Sequence, residues 1–91
     1  MKKILSYRIF VERETYDSGE VVYVAHVPTL GISDYGSTIE KALENTEKLI
    51  RFHLECLIDE EGSIPAPDDP KNILIANQEI EIASKKRFSF S

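Results

Sequence analysis

Apolar positions change their spacing three times along this chain, and the changes mark out its elements. In KILSYRIFVERET, residues 3–15, Tyr7, Ile9 and Val11 alternate with Arg8, Phe10 and Glu12. Alternation with a period of two is the mark of a strand with one covered face. Tyr16 to Glu20 form a turn, in which Asp17 to Gly19 can supply the positive φ of a hairpin loop. The next run, VVYVAHVPTL, is β-branched and aromatic on both faces, which predicts a central strand that stops at Pro28. Thr29 to Gly36 is read as a brief strand or turn feeding the next element. The spacing then changes to three and four, through Ile39, Ala42, Leu43, Thr46, Leu49, Ile50, His53 and Leu57. This predicts a helix over about 38–61, roughly 35 Å long at 1.5 Å per residue. Ser37 followed by Glu40 reads as a capping box, Gly62 as the left-handed residue after the helix, and Pro65 as a stop.

A proline-rich loop, 63–72, and a strand-like tail, 73–91, complete the chain; in the tail Ile80 and Ile82 alternate with Glu79 and Glu81. The predicted order is β-β-β-α-β. It implies an α+β, two-layer sandwich with an antiparallel or mixed sheet and one long helix on one face. The whole span 1–91 is expected to be a single domain. The second sheet face then needs solvent or another subunit, and Phe10, Tyr23 and Phe88 are the residues expected to line an oligomer interface there. A core this small gains from oligomerisation, and a dimer or higher homo-oligomer is expected.

Composition narrows the class. With 42% hydrophobic and 30% charged residues, the chain has the balance of an ordinary globular domain, and no apolar run approaches a membrane span. Ser6, Tyr7 and Arg8 break the apolar start too early for a signal peptide, and the single Cys56 has no internal partner, so a cytoplasmic location is expected. The net charge of −5 argues against direct DNA or RNA binding by the chain alone, and it suits a basic partner or simple solubility.

The residues that could carry chemistry have ordinary structural readings. His26 and His53 lie on different predicted elements without a ligand cluster, so packing or hydrogen bonding is expected of them and no metal or cofactor site is assigned. Cys56 lies three residues after His53 on the helix, but no third orienting group accompanies the pair. Two-metal hydrolysis would need converging acids; Glu12 and Glu14 share a strand face, yet no helix acid aims at them together with Asp17 or Asp34. No catalytic residue is assigned and the chain is not expected to be an enzyme. Lys85, Lys86 and Arg87 beside Phe88 and Phe90 could contact nucleic acid, but charges on an edge strand more often block aggregation.

The stretch YVAHVPTLGISDYGSTIEKALENTEKLIRFHLECLIDEEGSIPAP resembles the HicB antitoxin family. The matching positions are Pro28, Leu30, Gly31, Gly36, Thr38, Ala42, Leu43, Asn45, Gly62, Ile64, Pro65 and Pro67. The resemblance covers roughly residues 7–67. It implies a truncated ribonuclease-H-like fold without catalysis of its own. It further implies a type II toxin–antitoxin role: binding and masking a small, basic, mRNA-cleaving HicA-like toxin. Many members carry an additional DNA-binding segment; here only the strand-like tail follows Pro70, so autonomous operator binding is not expected. The acids expected to meet the toxin are Asp34, Glu44, Glu47, Glu55, Asp59 and Glu60. The alternative is a stand-alone oligomeric regulatory or small-ligand module with no toxin.

Overall fold

A computed structural model describes residues 3–71 and 73–90. Expectations that fall on Asn72 in the loop and Ser91 at the end of the tail lie outside the described residues. The chain forms an α+β arrangement of three strands, β1 (Phe10–Thr15), β2 (Val21–Val27) and β3 (Ile32–Gly36), and one helix, α1 (Ile39–Asp59). The sheet is antiparallel throughout, in the order β1-β2-β3. As the two apolar faces of VVYVAHV suggest, β2 is the central strand.

Both hairpins turn where glycine permits it. Gly19, at φ +88°, closes the β1–β2 loop, with its amide donating to the Tyr16 carbonyl at 2.8 Å. Gly31, at φ +66°, closes the β2–β3 loop and donates to the Val27 carbonyl at 2.9 Å. Leu30, the residue before it, is buried, so the turn is also tied to the core.

The junction of β3 and α1 is the tightest in the molecule. A Cβ on Gly36 would stand 2.5 Å from the Ala42 amide nitrogen and 2.7 Å from the Lys41 carbonyl carbon. Only a residue without a side chain lets the first turn of the helix come this close. The Asn45 side-chain amide donates to the Tyr35 carbonyl at 2.8 Å, a second tie between helix and strand. Ala42 and Thr46 on α1 are fully buried, as are Ala25 and Val27 on β2. The Thr46 hydroxyl is satisfied within the helix by donating to the Ala42 carbonyl at 2.7 Å.

Four expectations are corrected. The helix begins one residue later than the capping box placed it. Thr38, not Ser37, is the N-cap, in an extended conformation, with its hydroxyl accepting from the Lys41 amide at 3.0 Å. The close fit of Gly36 under Lys41 and Ala42 fixes where the first turn can start. The helix also ends earlier, so the left-handed residue is Glu61 at φ 56°, not Gly62. The Glu61 amide donates to Ile58 at 3.0 Å and the Gly62 amide to Leu57 at 2.8 Å, which is the Schellman arrangement with a non-glycine residue in the strained position.

The third correction concerns the N-terminal stretch. Residues 3–9 are not part of β1. They bond to the loop after the helix instead: the Asp68 amide donates to the Ser6 carbonyl at 2.8 Å, and the Tyr7 hydroxyl donates to the Pro65 carbonyl at 2.6 Å. The Asp68 carboxylate accepts from the Arg8 amide at 2.7 Å and from the Thr29 hydroxyl at 2.7 Å. It thereby joins the N-terminal stretch, the β2–β3 turn and the loop. These two donors, the amide first, hold its carboxyl below the usual carboxylate range. Burial, and then the Asp68 charge, push the Tyr7 phenol up.

Last, the tail forms no strand among its described residues. Its period-two pattern is present, but no neighbouring strand lies beside it to complete a ladder. The molecule is accordingly elongated, 63 × 35 × 23 Å.

Candidate protein-interaction surface

The periodic stripe of α1 is continuous, but its cover is not. Both fully buried residues of the helix, Ala42 and Thr46, lie in its first half, which rests on β3 and reaches β2. Beyond them Leu49, Ile50, His53, Leu54, Cys56 and Leu57 are only half-buried. Beyond Thr46 no described residue of the helix is fully buried, although cover at the first half is not complete either, since Ile39 and Leu43 on the same stripe are exposed.

Charge divides along the same line. Up to Arg51 the acids and bases of α1 balance, with Glu40, Glu44 and Glu47 set among Lys41, Lys48 and Arg51. Glu44 pairs with Lys41 at 3.6 Å and Lys48 at 3.5 Å, and Glu47 pairs with Arg51, whose guanidinium that pairing raises further. After Arg51 come Glu55, Asp59, Glu60 and Glu61, and the last turn carries no base. Acids at the negative end of a helix dipole are mildly unfavourable. A cationic partner would relieve both the repulsion and the dipole.

Two large apolar side chains stand among these acids. Phe52 is 65% exposed and Ile58 is 55% exposed. Phe52, Glu55 and Asp59 recur at helical spacing, and Ile58 lies three residues beyond Glu55, so the four make a mixed apolar and acidic patch. An apolar anchor ringed by charge is the common composition of a protein-binding surface.

The six acids expected to meet a partner are thus not one surface. Glu55, Asp59 and Glu60 lie together at the end of α1. Glu44 and Glu47 are engaged with neighbouring bases. Asp34 is on β3, opposite Ala25, with its carboxylate accepting from the Tyr35 amide at 2.8 Å. Phe52 and Ile58 were missed in the sequence reading, although the signal was present: both fall off the buried stripe, on a side of the helix where polar residues are expected.

The proposed oligomer residues do not share a face either. Phe10 pairs with His26 and Tyr23 with Arg13. His26 and Tyr23 are an odd number of positions apart, so Phe10 and Tyr23 point to opposite sides of the sheet. Phe88 is in the tail, where its ring meets Phe90 edge-on at 5.9 Å.

The histidines and the thiol stand apart from one another in role. His26 lies 3.9 Å from the Glu12 carboxylate across the β1–β2 pair, at the surface. His53 and Cys56 are half-buried neighbours on α1. Among the described residues, no three His, Cys, Asp or Glu side chains are grouped so as to hold a metal ion. An open groove of about 510 Å³ separates residues 3–9 from α1, with Leu5, Tyr7 and Ile9 on one wall and Ile50, Arg51 and Leu54 on the other. No helix of the described residues is long and apolar enough to cross a membrane. The chain matches no family model, no curated protein and no solved structure.

Proposed function

We propose that this chain is a cytoplasmic, non-enzymatic interaction protein of the HicB antitoxin kind, which binds a small basic HicA-like toxin and covers its mRNA-cleaving surface. The observation that carries the reading is the patch of Phe52, Glu55, Ile58 and Asp59 on the outward side of α1. It offers apolar area for affinity and negative charge for steering, the pairing a basic RNA-binding protein requires. The resemblance to HicB sequences lends further support, because its positions have definite work in this fold. Gly36 admits the helix, Thr38 caps it, Ala42 is its buried contact, and Gly31 closes a turn. In this reading the helix and sheet form a two-layer, truncated ribonuclease-H-like arrangement.

The test is inhibition of the protein encoded beside it, measured as RNA cleavage with and without this chain. Stoichiometric inhibition is expected, and Phe52→Ala with Ile58→Ala should weaken it about tenfold or more at unchanged fold stability. The association rate should fall steeply as salt is raised, while dissociation changes less. A neighbouring ribonuclease that stays fully active at excess of this chain contradicts the proposal.

A further inference from the structure

The β1 strand and the tail are each incomplete in a way the other could remedy. At one end of the sheet, β1 pairs only with β2, so the amides and carbonyls along its outer edge have no strand beside them, and all six of its residues are exposed. Between Leu74 and Phe90 the chain is exposed and forms no helix or strand, with one local bend at Lys85 and Lys86 where the Lys86 amide donates to the Ser84 hydroxyl at 3.0 Å; Leu74 is 98%, Phe88 63% and Phe90 92% accessible. An edge strand with an open ladder accepts an added strand readily.

Side-chain order favours one alignment. If residues 84–89 run antiparallel to β1, Lys85 can stand opposite Glu14, Arg87 opposite Glu12, and Phe88 opposite Val11. Both acids of the Phe10–Glu12–Glu14 face then meet cations, with Phe10 opposite Ser89, and Val11 meets Phe88 on the other face. Arg13 facing Lys86 is the one like-charge pair in this alignment. Opposite charges directly across a ladder stabilise it, so charge helps choose this register. Among the described residues, no part of the tail pairs with the β1 edge of its own chain. The loop before the tail is fixed by Asp68 to Ser6 and Arg8, and the 17 positions from Asp68 to Lys85 can span up to about 55 Å when extended. That is enough to reach a neighbouring molecule.

We infer that the tail is an exchange arm: residues 84–89 of one copy add as a strand to the β1 edge of a second copy, and the second copy returns the same contact. A two-fold dimer made this way pairs the outer edge of β1 in both copies. The arm does not involve the Phe52 and Ile58 patch, so the inference is independent of the toxin-binding proposal. It replaces the shared-face interface of Phe10, Tyr23 and Phe88 with an edge contact in which Phe88 takes part and Tyr23 does not.

The experiment is sedimentation equilibrium on the full chain and on two charge reversals, one carrying Glu12→Lys and Glu14→Lys, the other Lys85→Glu and Arg87→Glu. The native chain is expected to be a dimer. Each reversal alone sets like charges against each other and should weaken dimerisation about tenfold or more. Mixing the two variants restores every pair, since each tail then meets the opposite charge on the other's β1, and a heterodimer should form. A single chain carrying all four substitutions should recover the homodimer, which separates charge matching from loss of fold. A monomeric native chain overturns the inference. So does a mixture of the two reversals that stays monomeric, which would place the tail elsewhere or on its own chain.

Discussion

The two halves of α1 are written in one pattern and meet different surroundings. In the first half, Ala42 and Thr46 are sealed, Gly36 lies beneath the backbone of Lys41 and Ala42, and Asn45 is bonded to Tyr35, while Ile39 and Leu43 at the margin of the stripe stay exposed. In the second half, Ile50, Leu54 and Leu57 hold the same periodic positions but are only half covered, and Phe52 and Ile58 stand in solvent beside Glu55 and Asp59. Apolar periodicity reports a face that gains from being covered. It does not say whether the chain itself supplies the cover. Where it does not, the uncovered portion is the natural place to look for a partner.

The sharpest way to break the comparison is at Gly36. Gly36→Ala puts a methyl group into backbone of the helix that cannot rotate away. It is expected to destabilise the fold by about 2–3 kcal/mol in chemical denaturation. A loss within error would mean that the first half of α1 is not seated as tightly as the 2.5 Å approach implies.

The helix start gives the next largest effect. Thr38→Ala removes the acceptor for the Lys41 amide and should lower stability by about 1 kcal/mol, whereas Ser37→Ala should leave it within about 0.5 kcal/mol of native. The reverse order in denaturation midpoints would restore the capping box as the true start.

At the other end, Glu61→Gly relieves a left-handed non-glycine residue and removes an acid from the negative end of the dipole. Stability should rise by roughly 0.5–1 kcal/mol, with the part gained from the cap tempered by the greater freedom of glycine in the unfolded chain. An unchanged or lowered midpoint would show that the last turn is already frayed.

The smallest effect is the pH response of the Asp68 junction. A carboxyl held below its usual value stabilises the fold above the unfolded pKa of about 3.9 and loses that contribution as pH falls through the folded value. Native and Asp68→Asn proteins should therefore differ by a constant amount above about pH 5, and the difference should shrink on further acidification. A difference that grows as pH falls would give the shift the opposite sign.

How much of this was legible follows from what kind of rule each element obeys. The first hairpin, the end of β2 and the helix were readable because Gly19, Pro28 and the three-and-four spacing of α1 act through neighbours in the chain, whereas residues 29–36 were read only as a brief strand or turn. The start of α1 was misplaced by one residue because Ser37 and Thr38 are both capping residues, and the choice is made by Gly36 packing under Ala42, a contact that local rules do not see. Glu61 took the left-handed position for a similar reason: the helix stopped one residue short of the available glycine. The tail has the alternation of a strand, but a strand exists only with a partner, and no local signal supplies one. Of the candidate site, Glu55, Asp59 and Glu60 were chosen from charge alone, and the structure places them near one another at the end of α1. Phe52 and Ile58 needed the observation that they are exposed, and Glu44 and Glu47 needed the observation that they are already paired.

Hydrogen exchange along α1, read by mass spectrometry on the protein without a partner, tests the central claim most directly. Amides over 43–48 should be protected at least about tenfold more than those over 51–57, since local opening is easiest where the fewest buried contacts must be broken. Uniform protection along the whole helix would mean that the second half is as firmly held as the first, and would contradict the account of it as a surface awaiting cover.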